Sequence, residues 1–129
     1  MHEYGHVLLE DETQVDLTVG RDTHDPAGFV EGAFRRAFYD AFWRELGVSG
    51  AGDYDRSPTH YVSRYGANYF HEDIADTFAI FVLGGEPGKN TVAEEKLRFF
   101  WRDPDMTALR SAVRENLGLE WPKRAAHGC

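Results

Sequence analysis

Residues 2–6 read His2-Glu3-Tyr4-Gly5-His6, which is the pattern HExxH, and the prediction of the fold starts from this stretch. On an α-helix, positions four apart lie on one face, one turn from each other. Two imidazoles at that spacing can bind a single zinc ion, and the glutamate between them can accept a proton from water. The motif therefore predicts a zinc site. A polar helix end with two surface histidines is the second interpretation that these residues allow.

A third zinc ligand is needed from elsewhere in the chain, because catalytic zinc usually takes three protein ligands. The metzincin pattern HExxHxxGxxH requires Gly and His where this chain has Leu9 and Glu12, so that class is excluded. A glutamate on a separate helix is the other common arrangement. Residues 69–81 fit it, because one helical face there carries Glu72, Ala75, Asp76 and Ala79.

The face formed by these four residues is acidic and has small side chains, which allow a second helix to approach closely. Glu72 is the candidate third ligand. Asp76, one turn later, can accept the second N–H of a ligand imidazole and thereby fix the orientation of its ring. Taken alone, the segment also fits an amphipathic helix with an exposed acidic edge. Beside an HExxH helix the metal interpretation is favoured, since a carboxylate ligand is what that helix lacks.

The combination of HExxH with a later ExxxD resembles the gluzincin metallopeptidases. The stretch from Ser63 to Phe78 resembles more closely the catalytic domain of anthrax lethal factor and the related Pro-Pro endopeptidases. It is also similar to other zinc-binding metallopeptidases that carry an HExGH helix. In those proteins a tyrosine precedes the zinc-binding glutamate by seven residues, as Tyr65 precedes Glu72 here.

The resemblance implies a zinc-dependent metallopeptidase that hydrolyses peptide bonds, and it implies a set of site residues. The zinc ligands, carried over by position, are His2, His6 and Glu72. Glu3 corresponds to the general base, and Tyr65 to the residue that stabilises the oxyanion. Independently of the family, a phenol O–H can donate to the negative charge that forms when a peptide carbonyl is attacked. Without the family spacing, Tyr65 also fits a residue that packs in a surface turn.

The segment in front of the motif departs from the family. A zincin domain normally places a helix and a twisted sheet before the HExxH helix, and here only Met1 precedes His2. The resemblance therefore predicts one of three origins for the chain: the C-terminal part of a longer enzyme, a misassigned start, or a degenerate remnant. We expect a single domain over residues 1–129 that is mainly helical, with about five helices. It would form the C-terminal part of a zincin-like α+β metallopeptidase domain.

The segment from residue 11 to residue 46 carries the next local signals. Residues 11–24 are polar with alternating apolar positions, so they fit a short strand or a surface loop equally well. Asp25-Pro26 is typical of a helix start. The helix that follows is expected to end at Gly47 and to bury an apolar stripe formed by Val30, Phe34, Phe38 and Phe42. Residues 48–58 are predicted to form a loop that could border the cleft.

The C-terminal third predicts a helical hairpin without chemistry of its own. Thr91 to Glu94 form a capping box that opens one helix. Asp103-Pro104 opens a second helix, which is expected to stop at Gly118. The tail from residue 121 has no periodicity. We assign no metal-binding role to the remaining histidines or to the single cysteine, which are His24, His60, His71, His127 and Cys129.

Composition and charge limit the partners of the chain. Its 129 residues include 14 Lys and Arg against 22 Asp and Glu, a net charge of −8. This balance argues against a nucleic-acid or anionic membrane partner, because phosphate binding needs a basic surface. The longest strongly apolar run, residues 78–83, is too short to span a bilayer. A single cysteine excludes an internal disulfide and a cysteine-based zinc ribbon.

Two hypotheses of function follow. The first is a zinc metalloendopeptidase that acts on protein or peptide substrates. The second is an inactive or non-enzymatic helical module that keeps zinc as a structural clip, or binds none, and acts through a protein partner. A hydrolase that acts on another bond is also compatible with the residues. The start carries no signal segment, which predicts a cytoplasmic chain as given, or a secreted one if the true N-terminus is missing. Oligomeric state and cleavage preference are not indicated.

Overall fold

The protein is mainly helical, as predicted, in a computed structural model that describes residues 1–44 and 58–118. The described residues form five α-helices, which are α1 (His2–Leu9), α2 (Phe34–Phe42), α3 (Phe70–Leu83), α4 (Val92–Trp101) and α5 (Pro104–Asn116). Single turns of 3-10 helix lie at Pro26–Gly28 and Pro58–His60. Within the described ranges, strand pairing is limited to one isolated antiparallel bridge, between Val15 and Phe29.

Helix α3 is the centre of the fold, because the other four helices pack around it. It contacts α1 along its length and also touches α2, α4 and α5. Its apolar side chains point in several directions, which suits a helix with partners on more than one side. The core around it is mostly aromatic, and burial of these large side chains supplies the main favourable term in folding. Five of the fully buried rings belong to Phe38, Phe70, Phe78, Phe81 and Phe100.

The long helix predicted from Asp25-Pro26 onward is wrong over its first two turns. Asp25 does cap a helical start, since its side chain accepts a hydrogen bond from the N–H of Ala27, but a single 3-10 turn follows. The chain then turns at Gly32, whose φ of +83° lies outside the α-helical region. Helix α2 begins only at Phe34. Its predicted apolar stripe is confirmed, because Phe34 and Phe38 are buried in the core. The predicted stop at Gly47 lies outside the described residues.

Residues 11–24 form a surface loop, which was one of the two alternatives for this segment. Val15 is buried, whereas Leu17 and Val19 are exposed. The loop reaches across to the start of α2, where the side-chain oxygen of Gln14 accepts a hydrogen bond of 2.8 Å from the N–H of Arg35. A distant residue therefore satisfies one of the free N–H groups of α2.

The C-terminal hairpin of α4 and α5 is confirmed. Thr91 caps α4 by accepting a hydrogen bond from the N–H of Glu94, and Asp103 caps α5 in the same way. Gly118, with φ of +73°, follows the end of α5. In the described part of the chain, no helix has the length and apolarity needed to cross a membrane. The residues predicted as a loop from 48 to 57, and the tail with His127 and Cys129, lie outside the described ranges.

A buried ion pair links α3 to α4. The ammonium of Lys96 lies 2.7 Å from Oδ2 of Asp73 and also donates to the carbonyl of His60. The indole N–H of Trp43 donates to the same Asp73 oxygen at 2.8 Å. Burial raises the pKa of Asp73 and lowers the pKa of Lys96, because a low-dielectric interior disfavours both charges. Asp73 thus faces α4, while the preceding residue, Glu72, faces His2 and His6 of α1.

Candidate metal centre

Helix α1 presents His2 and His6 on one face, as the sequence predicted. The two rings lie edge to face, with centroids 4.5 Å apart. Both side chains are partly buried, and Leu9 on the same short helix is fully buried in the core. The histidine face therefore points inward toward α3 rather than into open solvent.

Gly5 lets α1 approach the backbone of α3 closely. A Cβ atom built at this glycine would lie 3.0 Å from a ring carbon of Phe78 and 3.3 Å from both Cα and the carbonyl oxygen of Ala75. The two backbone atoms cannot move without shifting the helix. Gly5 and Ala75 are therefore the small residues at the helix contact, and their size sets how near the histidines come to Glu72.

We expect Gly5→Ala to lower the free energy of unfolding by roughly 1–2 kcal/mol. Overpacking a tight contact costs about 1–3 kcal/mol, and the higher helix propensity of alanine returns at most about 1 kcal/mol. Urea denaturation of the metal-free protein measures the change. Gly85→Ala is the matched control, because a Cβ at Gly85 meets no atom within 4 Å. A Gly5→Ala midpoint equal to or above that of the unchanged protein would contradict the expectation.

The carboxylate of Glu72, in the first turn of α3, completes a three-residue group. Its Oε2 lies 3.0 Å from Nε2 of His2, and its Oε1 lies 3.5 Å from Nε2 of His6. The two Nε2 atoms are 2.9 Å apart. One ligand atom from each of the three residues lies within 4.8 Å of the others, and among the described residues no other group of three could hold a metal ion. The structure thus brings together the three ligands that the sequence predicted.

The opposite ring nitrogens of the two histidines face carboxylates. Nδ1 of His2 is hydrogen bonded to Asp76, as predicted, and Nδ1 of His6 lies 2.6 Å from Oε2 of Glu10. A carboxylate only accepts hydrogen bonds, so in each neutral ring the proton lies on Nδ1. The Nε2 atoms of the two rings then lie toward each other and toward Glu72, where they can act as metal ligands.

This arrangement of acceptors fits a cation. With the ring protons on Nδ1, the two Nε2 atoms and the carboxylate are all acceptors, and a cation among them would satisfy all three. Oε2 of Glu72 is also buried and has no hydrogen-bond partner among the described residues. Two imidazoles and one glutamate form a ligand set that zinc accepts in hydrolytic sites. The chemistry of the donor set therefore agrees with the metal that the motif implies.

Glu3 and Tyr65 lie beside the three ligands, on the side open to solvent. Oε1 of Glu3 lies 3.7 Å from Nε2 of His2, and the Glu3 side chain is 90% exposed. The ring of Tyr65 is 6.3 Å from that of His2 and is also exposed. The negative charge of Glu72 is the main cause that raises the pKa of the Tyr65 phenol. The phenol therefore keeps the proton that an oxyanion would need.

Asp76 connects the histidine of α1 to the turn that carries Tyr65. Ser63 Oγ donates a hydrogen bond to Oδ2 of Asp76, whose other oxygen is bonded to His2. The same Ser63 oxygen accepts a hydrogen bond of 2.9 Å from the N–H of Gly66. One carboxylate thus orients His2 and anchors the turn of residues 63–66. The sequence predicted the contact with His2 but not the contact with Ser63.

Three residues near the centre carried no predicted role. Glu10 lies against His6, and its i, i+4 spacing from His6 was a signal that could have been used. His24 and His71 stack face to face, with ring centroids 3.8 Å apart, although they are far apart in the sequence. Burial, followed by the neighbouring charge of His24, lowers the pKa of His71 to about 4. Nε2 of His71 lies 3.3 Å from Oε1 of Glu72, although the group that could hold a metal does not include His71.

Glu10 is held as a carboxylate by its neighbours. Burial alone raises its pKa, but hydrogen bonds from Thr23 and His6 and the positive charge of Arg35 outweigh that effect, and the pKa of Glu10 is lowered. An ionised carboxylate accepts the N–H of an imidazole more strongly than a neutral acid does.

Comparison with protein-family models finds no match for the chain, and comparisons with curated proteins and with solved structures find none either. The resemblance to the gluzincins therefore stays a prediction from the motif residues and their spacing. Function is argued below from the side chains at the centre and from their geometry.

Proposed function

We propose that the protein is a zinc-dependent metallopeptidase with His2, His6 and Glu72 as the zinc ligands. The observation that carries the proposal is the convergence of the Nε2 atoms of His2 and His6 on a buried carboxylate oxygen without a hydrogen-bond partner. Zinc, when bound, supplies the Lewis acidity that makes water a nucleophile near neutral pH. The substrate class is a protein or peptide.

Glu3 acts as the general base in this proposal. Its carboxylate is close to the ligand His2 and open to solvent, so it can accept a proton from the attacking water and pass it to the leaving amine. Tyr65 donates its O–H to the oxyanion that forms at the attacked carbonyl. Both side chains lie on the exposed side of the centre, where a substrate can reach them.

The number of ligands favours hydrolysis over a structural role for zinc. Structural zinc sites are closed by four protein ligands, whereas catalytic sites keep one position for water or substrate. Within residues 1–44 and 58–118, only three residues converge on the centre. The proposal also places these helices in the C-terminal part of a zincin-like domain, with the HExxH helix against the helix that carries the third ligand.

The test is metal binding together with hydrolysis. We expect the metal-free protein to bind one zinc ion per chain and to cleave a mixed library of fluorogenic peptides. Addition of 1,10-phenanthroline should stop cleavage, and an excess of zinc should restore it. Metal content is measured by mass spectrometry on dialysed protein. A protein that binds no zinc would overturn the proposal, and zinc binding without cleavage would favour the non-enzymatic module instead.

A further inference from the structure

We propose that Glu10 is a positioning residue for the second zinc ligand, His6, and that the loop of residues 11–24 serves the metal centre by holding Glu10 in place. The inference rests on the proposed function, because it needs zinc at the centre. It goes beyond that function because it adds Glu10 and residues 11–24 to the site. We call residues 11–24 the bracing loop.

Both oxygens of Glu10 are occupied, which assigns it an orienting role rather than a ligand role. Its Oε2 lies 2.6 Å from Nδ1 of His6. Its Oε1 accepts a hydrogen bond of 2.7 Å from the hydroxyl of Thr23 and lies 3.2 Å from Nε2 of His24. The carboxylate is only 16% exposed. It therefore sits between the ligand ring and the end of the bracing loop.

The bracing loop is itself anchored, so Glu10 has a fixed support. The buried guanidinium of Arg35 donates to the carbonyl of Leu9 at 2.9 Å and to the carbonyl of Thr23 at 3.1 Å. The Arg35 side chain thus links Leu9, the residue before Glu10, to Thr23, whose hydroxyl hydrogen bonds to Glu10. The loop also closes tightly at Gly20, where a Cβ would lie 2.9 Å from the backbone of Gly28.

The stacking of His24 on His71, a residue of α3, also holds the bracing loop beside the candidate metal centre. The two rings are parallel within 4°, and His71 precedes the ligand Glu72 in the chain. The ring of His71 also lies 5.9 Å from that of His6. The bracing loop therefore contacts the centre at two points, through Glu10 to His6 and through His24 to the residue beside Glu72.

The two ligand imidazoles then have separate orienting carboxylates on different elements. Asp76 on α3 holds His2, and Glu10 just after α1 holds His6. Each carboxylate keeps the proton on Nδ1 and directs Nε2 to the centre. Partners of this kind fix the ring and raise its basicity, and their loss typically costs about 10–100-fold in metal affinity or activity.

The test compares the zinc affinity of three variants with that of the unchanged protein, by competition with a chromophoric chelator. Glu10→Gln keeps the size of the side chain and removes its charge, and we expect its zinc affinity to fall roughly 10–100-fold. Thr23→Val removes the hydroxyl that holds Glu10 and should lower the affinity by less. Glu95→Gln is the matched control, because Glu95 is an exposed carboxylate on α4, outside the bracing loop, and it should leave the affinity unchanged.

Two further readouts separate positioning from a merely structural role. The visible absorption of the cobalt-substituted protein reports on ligand geometry, and we expect its bands to shift in Glu10→Gln but not in Glu95→Gln. Urea denaturation of the metal-free proteins checks that each variant is folded under the conditions of the affinity measurement. Unchanged zinc affinity in Glu10→Gln would overturn this inference alone, as would a loss of stability with unchanged affinity. An unchanged protein that binds no zinc would overturn the proposed function, and this inference with it.

Discussion

Glu3→Gln is expected to lower kcat for peptide hydrolysis by roughly 10²–10⁴-fold, the usual contribution of a general base, while one zinc ion stays bound. Glutamine has nearly the size and shape of glutamate, and it can still hydrogen bond to water, but its amide does not accept a proton near neutral pH. The Glu3 side chain is 90% exposed, so its replacement leaves the packing of α1 on α3 in place. The ligands His2, His6 and Glu72 are unaltered.

The measurement pairs initial rates on the fluorogenic peptide library with the zinc content of the same protein sample. Glu95→Gln is the matched control, since Glu95 is an exposed carboxylate on α4, away from the centre. It should cleave at the rate of the unchanged protein. Equal rates for Glu3→Gln and Glu95→Gln would remove Glu3 from the mechanism, even if zinc were present in both.

Glu72→Ala is expected to abolish stoichiometric zinc binding. In the proposed site Glu72 supplies one of the three ligands and the only carboxylate among them, and its loss leaves two imidazoles facing each other. The effect should exceed the roughly 10–100-fold drop in affinity that accompanies loss of an orienting partner. Cleavage should disappear with the metal.

Mass spectrometry of metal content, before and after dialysis, measures this second effect. Because Glu72 is buried on the central helix, the variant Glu72→Gln is measured beside Glu72→Ala, and circular dichroism checks that each stays helical. Glu95→Ala is the control and should retain one zinc per chain. A folded Glu72→Ala protein that keeps one zinc per chain would exclude Glu72 as a ligand.

Most helices of the fold could be predicted because their signals are local. Thr91 and Asp103 predict the starts of α4 and α5, because each side chain caps the first turn of the helix that follows it. The spacing of Glu72 and Asp76 placed both carboxylates on the correct face of α3. These features depend on residues within one or two turns of each other, which is the range over which a sequence pattern reports directly on structure.

The start of α2 could not be predicted in the same way, because distant contacts determine it. The N–H of Arg35 is satisfied by Gln14, 21 residues earlier. Phe29 pairs with Val15 in an antiparallel bridge, and a residue in such a bridge does not continue a helix. Asp25-Pro26 is a true local start signal, but these contacts outweigh it after one turn.

The residues of the candidate centre also fall into two groups, those with a local signal in the sequence and those whose role depends on distant contacts. His2, His6, Glu72 and Asp76 follow from motif spacing. The role of Glu10 depends on Thr23 and on the guanidinium of Arg35, which reach it through the folded chain. Likewise, the contact of Ser63 with Asp76 requires the turn of residues 63–66 to lie against α3. Spacing predicts the candidate ligands and one group that orients them, Asp76, whereas the contacts of Thr23 with Glu10 and of Ser63 with Asp76 depend on tertiary structure.

The first turn of α3 contributes both to the candidate metal centre and to the buried ion pair of Asp73 with Lys96. Glu72 faces the candidate metal centre, and the next residue, Asp73, pairs with the buried ammonium of Lys96 on α4. A local opening of this turn would expose both at once, which makes the centre and the core a single cooperative unit. Zinc that binds only the closed form would then slow amide hydrogen exchange through the turn and into α4. The metal centre would be as rigid as the most stable part of the protein, rather than as mobile as its surface.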